Sequence, residues 1–227
     1  MTHAMNQYQI LSRLLLYPEP ELIAHLPQLD AALAAVPEQQ ALLRPLLAHL
    51  ESSSLIDLQQ QYVATFDRNP SHSLHLFEHI HGESRDRGQA MVDLMEEYKR
   101  HGLQMTGDDL PDFVPLFLEF LAQLDEAASA PLLGDAVHVL AHIGRKLTAN
   151  GSPYAPVFTV LERLSPVAAE MLAEPPIRDM DEALETFGPG ADGVEPLLRP
   201  GQGQVAGGVH PVHFHPQPRR AASSAPV

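Results

Sequence analysis

The chain has 227 residues, and 44% of them are hydrophobic, which is enough for a substantial core. Its 29 acidic residues outnumber 14 basic ones, and the formal net charge of −15 argues against non-specific nucleic-acid binding, which needs clustered lysine and arginine. There is no cysteine, so disulfides, thiolate zinc sites and cysteine nucleophiles are excluded.

Apolar residues recur at intervals of three and four along most of the chain, and this spacing predicts helices. In chain order the stripes run over Ile10–Leu15, Leu22–Val36, Leu42–Leu50, Leu55–Phe66, Met91–Tyr98, Leu110–Leu124, Leu133–Leu147 and Tyr154–Leu161, and the last could run on to Met171. Prolines, glycines and the Asn150–Pro153 turn lie between the stripes, where helices should end. No alternating run of β-branched residues predicts a strand. We therefore predict an all-α, single-domain helical bundle over residues 1–187.

Composition changes after Phe187. Residues 188–227 are rich in glycine, proline and histidine and cannot bury enough apolar surface to offset the entropy of ordering, so we predict a disordered tail. Residues 1–187 hold 11 of the basic and 27 of the acidic residues, a formal net charge of −16, so the acidity belongs to the helical part. With no signal peptide and no apolar run approaching a membrane span of about 20 residues, we expect a cytoplasmic protein without membrane insertion.

Four histidines, at positions 72, 75, 79 and 81, are a candidate metal site. A helix would place His75 and His79 on one face, with Glu78 beside them. The H-E-x-x-H pattern of zinc proteases is absent, and histidines of a half-buried helix usually point outward or bond locally. A metal-binding protein or metal-dependent hydrolase stays open as the alternative function, although we predict no metal ligand set.

Two polar stretches suggest a binding surface rather than a catalytic one. Residues 83–88 form a charged run in which Glu83 can pair with Arg87, and they lack the ending of a phosphate-binding loop. Residues 108–112 are a predicted helix start, with Asp108 or Asp109 as its cap. The helix that follows concentrates acidic and aromatic side chains, which suits a basic amphipathic peptide. No nucleophile and base can be assembled, so we predict no catalytic residue.

Three stretches carry a resemblance to a known family: YVATFDR at Tyr62–Arg68, SLHLFEHIHGESRDRGQAM at Ser73–Met91, and Leu110–Asp112. They resemble the nitrate reductase molybdenum cofactor assembly chaperones, a branch of the all-helical family that matures molybdoenzymes of the DMSO-reductase type. The resemblance is close from Tyr8 to Leu124 and looser to Phe187.

The resemblance implies a non-catalytic chaperone. Its client would be the catalytic (alpha) subunit of respiratory nitrate reductase, as apo-enzyme and with its beta subunit. The chaperone would bind the client's leader-like N-terminal peptide, keep the apo-enzyme open for insertion of the molybdenum cofactor and delay membrane docking. No cofactor would be bound stably by the chaperone itself.

Two features of the family fall on residues of this sequence. The Y-x-x-x-F segment falls on Tyr62 and Phe66, and a Pro-Asp-His segment implicated in leader binding falls on Pro111, Asp112 and Phe113, with phenylalanine at the third position. The predicted peptide-binding residues are Tyr62, Phe66, Leu74, Phe77, Asp112, Phe113 and Glu119. The residues predicted to support this site structurally are Glu83, Arg85, Asp86, Arg87 and Pro111.

Overall fold

The computed structural model describes residues 5–82 and 85–172. The domain boundary predicted at residue 187, the predicted tail over residues 188–227 and Glu83 with its predicted ion pair lie outside the described residues. For Arg85 the structure describes the backbone.

The described residues form nine α-helices. Their bounds are α1 (Gln7–Leu14), α2 (Pro20–Leu33), α3 (Pro37–Ser52), α4 (Leu55–Tyr62), α5 (Glu78–His81), α6 (Arg85–Arg100), α7 (Val114–Gln123), α8 (Glu126–Ala149) and α9 (Ala155–Leu164). A π-helical turn (Val63–Asp67) continues α4, and a 3-10 turn (Pro70–His72) follows it. Within the described ranges the sole β-type pairing is one isolated bridge, so the predicted all-α class is confirmed.

Local sequence fixes most helix ends. The Asn6 side chain accepts the Tyr8 amide at the start of α1, and Asp125 accepts the Ala128 amide at the start of α8, as capping residues do. Gly151 follows α8 with a φ of 65°, a left-handed conformation that glycine adopts without strain.

Helix pairs build the core. Helix α1 packs along α7, α2 along α3, and α8 along α9. Leucine supplies more than half of the buried hydrophobic side chains. The α8–α9 contact depends on Gly144, because a Cβ there would lie 2.7 Å from the Cβ of Phe158.

The last predicted helix is shorter than its longest expected extent. Helix α9 ends at Leu164 rather than running to Met171. Pro166 explains the end, since a proline disfavours helical backbone at the residue before it, here Ser165. Among the helices of residues 5–82 and 85–172, none is both long and apolar enough to cross a bilayer.

Candidate functional site

Two distant parts of the chain meet at an isolated antiparallel bridge between His75 and Phe113. One of its hydrogen bonds runs from the Val114 amide to the Leu74 carbonyl over 2.8 Å. The segment before α5 is thereby fixed to the segment that leads into α7. Both segments belong to the stretches on which the predicted peptide-binding residues lie.

Asp112 lies inside this junction, and its side chain is 0% exposed. Its carbonyl accepts the Leu76 amide over 3.0 Å, and its Oδ2 accepts the Phe77 amide over 3.0 Å. Its Oδ1 lies 3.3 Å from Nδ1 of His75. A buried carboxylate is tolerated when it is paired and hydrogen-bonded in this way. The hydrogen bond to Asp112 is the main reason that the pKa of His75 is raised, against the opposing effect of burial.

The helix start predicted at residues 108–112 is wrong by several residues. Helix α7 begins at Val114, and Phe113 is its N-cap residue in extended backbone. The physical reason lies in the bridge to His75, which holds Phe113 in extended backbone, so the helix begins only after it.

The histidines at positions 72–81 do not converge. His75 and His79 share no helical face, contrary to the prediction, because α5 begins only at Glu78. Nε2 of His79 lies 2.8 Å from the carbonyl of Ser73, and burial lowers the pKa of His79.

Buried His72 links two other elements. Its Nδ1 lies 3.1 Å from the Thr65 carbonyl, and its Nε2 lies 2.8 Å from the side-chain nitrogen of Asn150. Asn150 donates to Nε2, so Nδ1 carries the proton that Thr65 accepts. Burial lowers the pKa of His72, which favours this neutral form. Within residues 5–82 and 85–172 no group of three His, Asp or Glu side chains could hold a metal ion.

Three predicted peptide-binding residues lie in the core. Tyr62, Phe66 and Leu74 are 5%, 5% and 3% exposed. The Phe66 ring centroid lies 4.8 Å from that of Tyr62 and 5.0 Å from that of Tyr154. The Tyr62 hydroxyl donates to the Leu15 carbonyl over 2.8 Å. Tyr62 and Phe66 thus pack against each other and against Tyr154, and the contact of Tyr62, Phe66 and Leu74 with a peptide is a prediction from the sequence that peptide binding by Phe66→Ala would test.

Four apolar side chains reach the surface around the bridge, and we call them the apolar edge: Phe77, Ile80, Leu110 and Phe113. Phe77 and Phe113 are half-buried, whereas Ile80 is 48% and Leu110 is 42% exposed. The ring of His75 lies 5.4 Å from that of Phe113 and covers one side of it. The bridge therefore brings the segment that leads into α5 next to the residues before α7, and each of them carries apolar side chains that are half-buried or exposed.

Three carboxylates either precede Leu110 in the chain or lie near Tyr62, and we call Asp67, Asp108 and Asp109 the acidic rim. All three are exposed. Burial is the main cause of the raised pKa of Tyr62, and the charges of Asp67 and Asp109 raise it further, so both lie near that phenol. Tyr17, 42% exposed, packs edge-on against Tyr62 at 5.5 Å and adds an aromatic side chain there.

Three of the charged residues predicted to support the site, Arg85, Asp86 and Arg87, lie on α6. Arg87 donates through Nη2 to Oε1 of Glu78 over 2.9 Å, and the Ser73 hydroxyl donates to the other oxygen of Glu78. This chain of contacts joins α6 to α5 and to the bridge segment. Asp86 is exposed in the first turn of α6, which begins at Arg85. A supporting role for Arg85, Asp86 and Arg87 remains a prediction.

The two remaining predicted residues differ in burial. Pro111 is buried, and its carbonyl accepts the Tyr98 hydroxyl over 2.6 Å, which secures the far end of α6. Glu119 is exposed on α7. The sequence-based list of site residues leaves out Tyr17 and Tyr98, which no local motif marks, and Leu110, which lies in a family motif but is not among the predicted peptide-binding residues.

The structure also has two open surface depressions away from this site. One of about 420 Å³ lies between α3 and α9, around Leu42 and Val160, beside the ion pair of Arg163 and Glu38 at 2.6 Å. The other, about 570 Å³, is polar and lies at the α3–α4 junction around residues 52–54. Neither is lined by a predicted peptide-binding residue.

Comparison with known proteins gives a consistent assignment. The family model described as the nitrate reductase delta subunit matches residues 27–160. The nitrate reductase molybdenum cofactor assembly chaperone NarJ of Escherichia coli K12 is 41% identical over 191 residues, covering 80% of this chain and 81% of that protein. A candidate NarJ chaperone of Bacillus subtilis is 31% identical over 157 residues, covering 68% of this chain and 85% of that protein.

A solved structure supports the fold. The crystal structure of a candidate redox enzyme maturation protein from Archaeoglobus fulgidus matches with a TM-score of 0.54 at 18% identity, over 72% of this chain and 94% of that one. The family model covers more than half of the chain, and the Escherichia coli relative matches four fifths of it. The chain therefore belongs to the nitrate reductase delta subunit family.

Proposed function

We propose that this protein is a cytoplasmic chaperone of respiratory nitrate reductase. It binds the N-terminal, leader-like peptide of the catalytic (alpha) subunit, alone or with the beta subunit present. It keeps the apo-enzyme competent for molybdenum cofactor insertion and for final assembly at the membrane. The observation that carries the proposal is the 41% identity with a molybdenum cofactor assembly chaperone over four fifths of both chains.

The apolar edge and the acidic rim support peptide binding. Phe77, Ile80, Leu110 and Phe113 offer apolar and aromatic contact area, and Asp109 directly precedes Leu110. A peptide that is both basic and apolar satisfies these two kinds of surface at once. The formal net charge of −15 would also draw such a peptide toward the protein.

The expected affinity suits a chaperone, which must release its client. Burying about 400 Å² of apolar surface gives a gross gain of about 10 kcal/mol. Ordering a flexible peptide and losing its translational freedom cancel much of that gain. A dissociation constant from roughly micromolar to tens of nanomolar needs a net gain of about 8–10 kcal/mol, so ionic contacts with the acidic rim have to make up most of the part that is cancelled.

Deletion of the gene tests the proposal in the cell. We expect reductase subunits at normal abundance but without activity and with little bound molybdenum cofactor, because the client folds yet is not loaded. The deletion strain is complemented with wild type, with Phe113→Ala, and with Ile56→Ala as the matched control, since Ile56 is an exposed apolar side chain on α4. We expect wild type and Ile56→Ala to restore reductase activity and Phe113→Ala to restore less of it. Fully active, cofactor-loaded reductase in the deletion strain would refute the proposal.

A further inference from the structure

We propose that Asp112 is a positioning residue, which aligns Phe77 and Phe113 for the client peptide without touching the peptide itself. The inference rests on the peptide binding proposed above. It changes the role expected from the sequence, in which Asp112 is one of the carboxylates that receive the peptide's cations.

Burial is the first argument. The Asp112 side chain is 0% exposed, whereas a carboxylate that pairs with an incoming arginine or lysine must present an oxygen at the surface. Its two oxygens already have partners within the chain, the Phe77 amide at 3.0 Å and Nδ1 of His75 at 3.3 Å. A peptide cation could reach Asp112 only if the bridge opened.

The second argument is what Asp112 holds in place. Its main-chain carbonyl accepts the Leu76 amide at 3.0 Å, while its carboxylate accepts the next amide along, that of Phe77, at the same distance. One residue therefore fixes two successive peptide units of the segment before α5. That segment is neither helix nor sheet, so it lacks the backbone hydrogen bonds of regular secondary structure. The two bonds to Asp112 fix its backbone conformation instead.

The third argument is which side chains this anchoring presents. Phe77 is held through its own amide, and Phe113 follows Asp112 directly in the chain. The His75 ring, drawn toward Oδ1 of Asp112, also lies 5.4 Å from the ring of Phe113. Loss of the carboxylate would remove the side-chain bonds to Phe77 and His75, while the two backbone bonds of the bridge and every surface carboxylate stay in place.

A double-mutant cycle separates positioning from direct contact. Calorimetry measures binding of a synthetic peptide with the client's N-terminal sequence, and of the same peptide with each arginine and lysine replaced by glutamine. For Asp112→Asn we expect about a tenfold loss of affinity that is equal, within about twofold, for both peptides. In a Phe113→Ala background the same change should cost clearly less than tenfold, because one of the two side chains being aligned is gone.

The matched control is Asp109→Asn, an exposed carboxylate of the acidic rim three residues away. Its loss of affinity should appear with the basic peptide and disappear with the neutralised one, as a direct ionic contact requires. If Asp112→Asn behaves like Asp109→Asn, or if its loss is unchanged in the Phe113→Ala background, the positioning role is overturned.

Folding must be separated from binding. Circular dichroism establishes that each variant is folded at the assay temperature, and His75→Gln provides a second variant that removes only one partner of Asp112. We expect His75→Gln to lower affinity less than Asp112→Asn does and equally for both peptides. An effect of His75→Gln confined to the basic peptide would contradict the inference. If wild type binds neither peptide, the proposed function fails and this role fails with it.

Discussion

Replacing Phe66 with alanine separates a core role from a peptide-binding role at a position that the family resemblance marks. Phe66 is 5% exposed and packs between Tyr62 at 4.8 Å and Tyr154 at 5.0 Å. Truncation of a buried phenylalanine costs about 3–5 kcal/mol through lost transfer free energy and the cavity left behind. That is a large part of a typical unfolding free energy of about 5–15 kcal/mol.

Urea unfolding followed by far-ultraviolet circular dichroism measures this cost. The matched comparison is Phe113→Ala, which removes the same atoms from a half-buried position and should lower the free energy of unfolding by only about 1–2 kcal/mol. Under conditions where Phe66→Ala remains folded, it should bind the client peptide with an affinity close to that of wild type. A loss of stability no larger than that of Phe113→Ala, together with lost peptide binding, would refute the assignment of Phe66 to the core.

Two further predictions concern stability. Alanine at Gly88 should raise the free energy of unfolding by about 1 kcal/mol, because alanine is the better helix former and the space there is open, whereas alanine at Gly144 should lower it by about 1–2 kcal/mol, because the new Cβ would lie 2.7 Å from that of Phe158. Chemical denaturation of both variants checks this, and equal effects would contradict the packing argument. The pKa of His75 is raised in the folded protein, mainly by its hydrogen bond to Asp112. The protonated His75 therefore adds to the free energy of unfolding, fully below the unfolded pKa of about 6.5, and this addition is lost as pH rises through the folded pKa. The stability difference between wild type and His75→Gln should therefore shrink above about pH 6.5, and a difference that stays constant from about pH 5 to 9 would be inconsistent with this pairing.

The helices could be predicted from the sequence wherever apolar residues recur at intervals of three and four. The stripe over Leu133–Leu147 lies within α8, and the stripe over Leu42–Leu50 lies within α3. Both depend on neighbours three and four residues away, which a sequence displays directly. Pro20 and Pro37 stand at the starts of α2 and α3, where a missing amide hydrogen does no harm.

The site was less predictable because it depends on contacts between residues far apart in the chain. The sequence suggests one helix carrying His75 and His79, yet the pairing of His75 with Phe113, 38 residues later, interrupts it. Nothing near Asp112 in the sequence indicates that its carboxylate points inward to another segment. The same holds for Tyr62, which aligns with the family's motif but whose hydroxyl donates to the carbonyl of Leu15, 47 residues earlier.

The family itself was identifiable from sequence because its motifs are long. The stretch SLHLFEHIHGESRDRGQAM at Ser73–Met91 gives a specific resemblance, and the match of the family model over residues 27–160 confirms it. Which side chains touch the client is a separate question, since the motif includes buried residues such as Leu74 beside exposed ones such as Ile80.

The most direct test of the central claim is calorimetric titration of the full-length protein with a synthetic peptide of the client's N-terminal sequence, with a scrambled peptide as control. We expect one site with a dissociation constant between roughly micromolar and tens of nanomolar, weaker binding by Phe113→Ala, and no binding of the scrambled peptide. Equal binding of the native and scrambled peptides, or no binding of either, would contradict the account.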